Sequence, residues 1–310
     1  MPSSYASTSA ASATHAGMAA RKRCVCVCVD DFGLHEGINT AVLELAAQRR
    51  IGATGCMVDG PAFAEGARVL RTVPEEHLDV GLHFDLSETR LQGGRKYGLR
   101  GLIARSYCQM LDARWLTAEV TRQLDLFEVA MQRPPAFVDG HQHVHQLPQV
   151  REALLGELAR RYPPESPRPW LRCTLPALQG ASWLRAGFAV AWKAQIIAWL
   201  GAKTFAEMAR AEGFATNRAL AGVYGFDASA EHYQRLLGIW LHNSQHGDVL
   251  MCHPSRSVVP LDAIASARCM EYQVLASESF DALVEQADVH TGPLSAHIGH
   301  RATDADTVSV

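Results

Sequence analysis

Hydrophobic residues occur in short runs along the chain, and these runs alternate with stretches in which they recur at helical spacing. The run CVCVCV at 24–29 is typical of a buried strand, and Ile38, Ala41, Val42 and Leu45 after it indicate a helix. The same alternation repeats along most of the chain. We predict seven strands, at 24–29, 53–58, 78–83, 136–141, 170–173, 219–224 and 248–252.

The segments between these strands are mostly helical in pattern. We expect a helix to begin near Thr117, with this residue as its N-cap, and residues 87–113 to form a loop or lid. Further helices are predicted at 62–71, 149–161, 181–212, 228–245 and 271–287. Strands that alternate with helices imply a parallel sheet, and about seven β/α units favour a closed barrel over an open sheet. The predicted fold is therefore α/β, an irregular TIM-barrel-like (β/α) barrel with about seven parallel strands.

The length of 310 residues suits a single barrel, which typically takes about 250. We place one barrel domain at 22–287. Residues 1–21 are rich in Ser, Ala and Thr and lack the continuous apolar core of a signal peptide, so we expect a disordered N-terminal tail. Residues 288–310 have a similar composition and are predicted to be a C-terminal tail.

Composition narrows the class of function. The chain is 48% hydrophobic and 20% charged with a net charge of −3, so it lacks the basic excess of a nucleic-acid-binding protein. Its eight cysteines form no CxxC pair, and we interpret them as small buried hydrophobes in a reducing, cytoplasmic location. The 14 histidines are clustered, which favours a metal or acid–base site.

Four of the predicted strands run into residues that bind metals or move protons. These are Asp30 and Asp31, His83, His141 and His253. Because the carboxyl ends of parallel barrel strands meet at one face, we expect these side chains to converge there. The sequence therefore indicates a metal-dependent hydrolase.

The individual elements are less specific than the set. Adjacent strand residues point to opposite faces, so Asp30 and Asp31 share a site only if the strand stops there, and Gly33 supports a stop. Taken alone, the pair also fits a cap at a strand-to-helix turn. A single histidine such as His83 at a strand end is also compatible with a structural role.

The segment from Asp139 to His145 carries the strongest local pattern. In an extended conformation Asp139, His141, His143 and His145 fall on one face, so we expect at least one metal ligand among them. His253 remains open between a fourth ligand, a general acid and a packed core residue.

The motifs DDFG (30–33), GLH (81–83), DGHQHVH (139–145) and CHP (252–254) together resemble the YdjC-like carbohydrate deacetylases. That family includes chitooligosaccharide and hopanoid-associated deacetylases, and the resemblance covers residues 22–287. The chain departs from the family pattern at Cys28-Val29, Ser87 and Ser255, none of which is a predicted ligand.

The resemblance implies removal of an N-acetyl group from an amino sugar at one divalent metal ion. It implies Asp31, His83 and His141 as metal ligands. It also implies Asp30 as general base and His253 as acid or oxyanion partner, with Asp139, His143 and His145 beside the ligands or facing the substrate. Two imidazoles and one carboxylate suit zinc, whereas the family is often described with magnesium, so the metal stays open.

Two other functions compete with this interpretation. A metal-dependent phosphoesterase would use a second metal about 3.5–4 Å from the first. A non-catalytic, metal-dependent carbohydrate-binding protein would need no catalytic base.

The apolar segment 181–205 adds a hypothesis about partners. Its tryptophans could cover a lipid-linked substrate at a membrane surface, or the segment could be a buried helix or a homo-oligomer interface. Arg185 and Lys193 interrupt it, so we predict no stable membrane span. The expected partner is a small carbohydrate or glycolipid.

Overall fold

The computed structural model describes residues 22–89 and 97–298, in which strands and helices alternate. The strands are β1 (Arg23–Phe32), β2 (Ala53–Cys56), β3 (Asp79–Phe84), β4 (Phe137–Gly140), β5 (Trp170–Leu171), β6 (Leu220–Ala221), β7 (Asp248–Cys252) and β8 (Val289–Thr291). The helices are α1 (Glu36–Ala47), α2 (Phe63–Leu70), α3 (Leu99–Tyr107), α4 (Ala113–Met131), α5 (Val150–Arg161), α6 (Ala181–Ala186), α7 (Phe188–Trp199), α8 (Ala202–Ala211), α9 (Ala230–Asn243), α10 (Ala265–Leu275), α11 (Glu278–Gln286) and α12 (Ser295–Ile298). A 3-10 helix spans His141–Gln146.

The strands form one parallel sheet in the order β5-β4-β3-β2-β1-β7-β6, with β8 added beside β1. Two isolated parallel bridges, Leu171 to Thr216 and Pro176 to Leu220, connect the β5 side of the sheet with the β6 side. The sheet therefore curls into an irregular barrel, which confirms the predicted fold.

Alternation along β1 divides the core into two layers. Cys26 and Cys28 point into the barrel, where they pack with Phe137, Trp170 and Met251. Val25, Val27 and Val29 point outward and belong to the larger cluster between sheet and helices. All eight cysteines are free thiols, and six are buried as predicted, whereas Cys269 is half-buried and Cys108 is exposed, so the interpretation as buried hydrophobes is wrong for these two.

The folded structure continues beyond residue 287, where the predicted domain ended. Strand β8 pairs with the start of β1, and Leu294 after it is fully buried. The buried Asp79 carboxylate accepts hydrogen bonds from the backbone N–H groups of Leu294 and Ser295, each at 2.9 Å. This segment thus closes the amino-terminal end of the barrel. Residues 1–21 and 299–310 lie outside the described residues.

Several predicted helices have different bounds. The single helix predicted at 181–212 is three helices, broken at Gly187 and Gly201, whose φ angles of 95° and 122° only glycine adopts readily. The helix predicted at 271–287 is the pair α10 and α11. These corrections follow from local breaks that the hydrophobic spacing does not reveal.

The segment before β4 also differs from the prediction. Helix α4 begins after Asp112, whose carboxylate accepts hydrogen bonds from the backbone N–H groups of Arg114 and Trp115, so Thr117 is not the N-cap. The predicted loop or lid at 87–113 contains α3, while its residues 90–96 lie outside the described part of the chain.

Helix α7 carries apolar side chains on two faces. Ala194 and Ile197 pack against the barrel interior, whereas Phe188, Trp192 and Trp199 are exposed at 68%, 42% and 60%. The buried-helix interpretation of 181–205 therefore holds for one face only. Within residues 22–89 and 97–298, no helix has the length and apolar character needed to cross a membrane.

Candidate functional site

The carboxyl end of β1 places two adjacent aspartates in one buried site. We expected the strand to stop at the aspartate pair, but it continues to Phe32. Its pairing with β2 is irregular between Val29 and Phe32, and Asp31 has a positive φ of 69°. This local twist breaks the alternation of side chains, so Asp30 and Asp31 both face the end of the barrel.

The three predicted metal ligands converge at this point. Asp31 Oδ1 lies 2.9 Å from His141 Nδ1 and 3.4 Å from His83 Nε2. One ligand atom from each residue lies within 4.8 Å of the others. Asp31 is the penultimate residue of β1, His83 is the penultimate residue of β3, and His141 begins the 3-10 helix after β4, so the carboxyl ends of three strands build the cluster.

Asp139 orients the His83 ring within this cluster. Its Oδ1 lies 2.7 Å from His83 Nδ1, which leaves Nε2 directed toward Asp31. Burial opposes protonation of His83, but the Asp139 and Asp30 carboxylates raise its pKa well above the usual value. A carboxylate behind a ligating imidazole is the usual arrangement at metal centres, and the clustering of anionic and imidazole donors fits a divalent cation.

The His-rich segment is not extended. The prediction that its histidines share one face is therefore wrong. After Gly140 the chain turns into the 3-10 helix, with positive φ angles at Gln142 and His143 of 51° and 61°. His145 lies beneath the site, where its Nε2 is 2.9 Å from the Arg172 carbonyl oxygen. Burial lowers the pKa of His143 well below the usual value and that of His145 to about 4.

Arg172, at the end of β5, is the main site residue that the sequence analysis missed. Its guanidinium donates two 2.7 Å hydrogen bonds to the two oxygens of Asp30, and Nη2 also lies 2.7 Å from Asp139 Oδ2. Burial would raise the pKa of Asp30, but Arg172 holds it well below the usual range. A signal was present, because an ionisable residue, Arg172, lies near the carboxyl end of the fifth predicted strand at 170–173.

His253 follows β7 and faces Asp30 from the other side. Its Nε2 lies 3.9 Å from Asp30 Oδ2, and its ring packs edge-on to Phe226 at 5.2 Å between centroids. Burial lowers the pKa of His253 to about 4, so its imidazole is neutral near pH 7. It is not in either His/Asp cluster found among the described residues, which speaks against the fourth-ligand interpretation.

Helix α10 contributes two further buried residues that had no recognisable sequence signal. Arg268 Nη2 donates to Asp31 Oδ2 at 2.7 Å, and its Nε donates to Asp262. Glu271 Oε2 accepts a hydrogen bond from the His253 backbone N–H. Both residues lie in a helix that is separated in sequence from every predicted motif.

The loop after β3 supplies a carboxylate at the mouth of the site. Glu88 is 45% exposed, and its Oε2 lies 3.9 Å from His141 Nε2. The buried Asp85 carboxylate fixes this loop by accepting hydrogen bonds from the backbone N–H groups of Ser87 and Thr89, at 2.8 and 2.7 Å. Glu88 is thus held beside His141, with its side chain partly open to solvent.

Comparison with known proteins identifies relatives of the whole barrel. Chitooligosaccharide deacetylases of Salmonella schwarzengrund (strain CVM19633) and Salmonella paratyphi B (strain ATCC BAA-1250 / SPB7) are each 25% identical over 284 residues, covering 87% of this chain and 98% of theirs. The crystal structure of a proposed cellobiose-phosphate cleavage protein from Enterococcus faecalis V583 superposes with a TM-score of 0.64. At 16% identity, covering 89% of this chain and 99% of that one, it shows a shared fold.

The sequence profile of the YdjC-like protein family matches residues 24–286, which include every motif at the barrel's carboxyl end. The resemblance seen in the sequence is confirmed. The chain belongs to the YdjC-like protein family.

Proposed function

We propose that this protein is a metal-dependent carbohydrate N-deacetylase, which hydrolyses the acetamide of an amino sugar to acetate and a free amine. The observation that carries the proposal is the convergence of Asp31, His83 and His141 beside the ionised Asp30. The Salmonella relatives named chitooligosaccharide deacetylases support the same activity, since each aligns with 87% of this chain.

The metal would be held by Asp31, His83 and His141. When bound there, a divalent cation supplies a Lewis acid that lowers the pKa of water and polarises a carbonyl. Two nitrogen donors and one carboxylate favour zinc over magnesium, and metal analysis of the purified protein decides between them.

The remaining residues move protons. Asp30 is ionised and accepts the proton of the water that attacks the acetamide carbon. His253 is neutral, so its Nε2–H first donates a hydrogen bond to the developing oxyanion and then gives its proton to the leaving nitrogen. Nε2 takes back the proton that Asp30 collected from the water, across the 3.9 Å between the two residues. The C–N bond breaks, and acetate and the amino sugar leave.

Arg172 argues against the two-metal phosphoesterase. Asp30, His83 and Asp139 form a second group of donors that could in principle hold a cation. The buried guanidinium of Arg172 already lies 2.7 Å from oxygens of both aspartates, so a fixed positive charge fills that position. One exchangeable metal ion is therefore the arrangement that these residues favour.

The proposed substrate class rests on Glu88 beside the site, and the proposed location rests on the cysteines. The exposed carboxylate of Glu88 suits a sugar with hydroxyl groups to donate, and we propose a small acetylated oligosaccharide or glycolipid. The free thiols of all eight cysteines support a reducing, cytoplasmic location.

The test is acetate release from N-acetylglucosamine, chitobiose and lipid-linked analogues, run beside phosphorylated sugars. We expect acetate from at least one acetylated sugar and none after Asp30→Asn, with the metal content unchanged. Asp79→Asn is the matched control, because this buried aspartate lies at the opposite end of the barrel and should leave turnover intact. Sugar binding without acetate release in the unmodified protein would instead favour a non-catalytic binder.

A further inference from the structure

Helix α10 binds both backbone polar groups of His253. Arg268 and Glu271 are three residues apart and therefore lie on one face of the helix, and both are buried. Glu271 Oε2 accepts the His253 backbone N–H at 2.5 Å, and Arg268 Nη1 donates to the His253 carbonyl oxygen at 3.4 Å. One helix thus fixes the peptide groups on either side of this residue.

The backbone at this position needs such a partner. The pairing of β7 with β1 ends at Cys252, so the next N–H leaves the sheet inside the protein. Pro254 follows and has no N–H of its own to donate. A buried N–H without an acceptor costs about 1–3 kcal/mol, so the Glu271 carboxylate replaces the missing strand neighbour.

The second oxygen of Glu271 is also bound. Its Oε1 accepts the Tyr224 hydroxyl at 2.7 Å, which fixes the carboxylate between the ends of β6 and β7. Burial raises the pKa of Glu271 to about 7, and the His253 N–H and Tyr224 hydroxyl oppose that rise. The carboxylate is therefore held in place at both of its oxygens.

The His253 ring, by contrast, has little of its own to orient it. Within the described part of the chain, its Nδ1 is buried without a hydrogen-bond partner. Its edge packs on Phe226, and its Nε2 reaches toward Asp30 at 3.9 Å. The direction of the imidazole consequently depends on where the backbone of His253 is held.

We infer that Glu271 is a positioning residue for His253, acting through the backbone N–H to aim the imidazole at Asp30 and the leaving amine. The inference rests on the proposed function, in which His253 faces the reacting atoms. The two oxygens of Glu271 bind the His253 N–H and the Tyr224 hydroxyl, so its role in this inference is exerted through His253.

The kinetic test compares three variants. Glu271→Met keeps a similar side-chain length without an acceptor, and kcat should fall about 10- to 100-fold, the loss expected for a catalytic group displaced by about 1 Å. KM and metal content should change little, because substrate and metal contacts remain. Glu271→Gln keeps an acceptor for the N–H and should restore most of kcat. Tyr224→Phe removes only the other hydrogen bond of the carboxylate and should resemble the unmodified enzyme.

Hydrogen exchange at the His253 amide gives a reading that does not depend on turnover. Glu271→Met should speed this exchange, while Tyr224→Phe should leave it slow. Unchanged exchange, or faster exchange with an unchanged kcat, would overturn the positioning role. An unmodified protein that releases no acetate from any sugar would overturn the proposed function instead, and the exchange result would still decide whether Glu271 holds His253.

Discussion

At the scale of single residues, one backbone angle decides whether the site exists. Asp31 has a φ of 69°, a conformation that is uncommon outside glycine but tolerated by aspartate. A regular strand would direct Asp30 and Asp31 to opposite sides of the sheet. The irregular pairing at this point brings both carboxylates to the same end of the barrel, where one can bind a cation while the other accepts a proton.

The carboxylate behind His83 should control metal affinity. Asp139→Asn replaces an acceptor at His83 Nδ1 with a group that can present N–H instead, so the ring loses its fixed orientation. We expect metal affinity to fall about 10- to 100-fold. Titration against a metal-chelating dye measures this directly, and an unchanged affinity would show that Asp139 does not orient the ligand.

The buried charge of Arg172 should be important for stability. Arg172→Met leaves Asp30 and Asp139 without their cation, and breaking a buried ion pair in this way typically costs about 3–5 kcal/mol. Urea unfolding measures the loss. Arg68→Met is the control, since the exposed Arg68–Glu65 pair should contribute less than about 1 kcal/mol. Equal effects of the two substitutions would contradict the buried-network interpretation.

At the scale of elements, helix α10 places the carboxyl group of Glu271 in a buried position, which makes the stability of the protein depend on pH. The folded protein raises the pKa of Glu271 from its ordinary value near 4.5 to about 7, which means that it favours the protonated form. The resulting stabilisation is complete below about pH 4.5 and is lost as the pH rises through about 7. Its full size is on the order of 3 kcal/mol.

Glu271→Gln removes this titration and leaves the other ionisable groups in place. The free energy of unfolding of the unmodified protein, minus that of the variant, should therefore decrease from pH 4.5 to pH 7 and then level off. Urea unfolding at a series of pH values provides the measurement. Parallel curves across this range would show that the pKa of Glu271 is not raised.

Only the face of helix α7 that packs against the barrel should contribute to the stability of the protein. Trp199 is 60% exposed and Trp240 in α9 is 2% exposed. Trp199→Ala should change the free energy of unfolding by less than about 1 kcal/mol, whereas Trp240→Ala should lower it by about 3–5 kcal/mol. Comparable losses for both substitutions would mean that the outer face of α7 is covered in solution.

The elements also show what the sequence can predict. All seven strands on the main path of the sheet were predicted, because each is a short apolar run between polar segments. Strand β8 was missed because it has only three residues and little apolar character. The 3-10 helix at His141 was missed because it depends on positive φ angles at Gln142 and His143, which no side-chain pattern announces.

The same limits apply to the site. Residues at strand ends were found because topology brings strand ends together, and Arg172 belonged to this detectable group. Arg268 and Glu271 could not be found in this way, since they reach the site from a helix and their partners lie far away in the sequence. Asp31 and Arg268, for example, are 237 residues apart.

At the scale of the whole molecule, the ionisable residues of the site lie at the carboxyl end of the barrel, and the segment that covers the barrel lies at the amino-terminal end. The carboxyl ends of β1, β3, β5 and β7 carry Asp31, His83, Arg172 and His253 or lead directly into them. The amino-terminal end is closed by Asp79 and the segment after β8. Turnover should therefore depend on residues at the carboxyl end, whereas substitution of Asp79 at the amino-terminal end should affect stability without affecting turnover.

The central claim is that one metal ion, held by Asp31, His83 and His141, serves the hydrolysis of an acetylated amino sugar. The most direct measurement is acetate release by the metal-free protein as metal is added back in known amounts. We predict no release without metal and a maximum at one equivalent per chain. Release that survives complete metal removal, or that rises until two equivalents are bound, would contradict the claim.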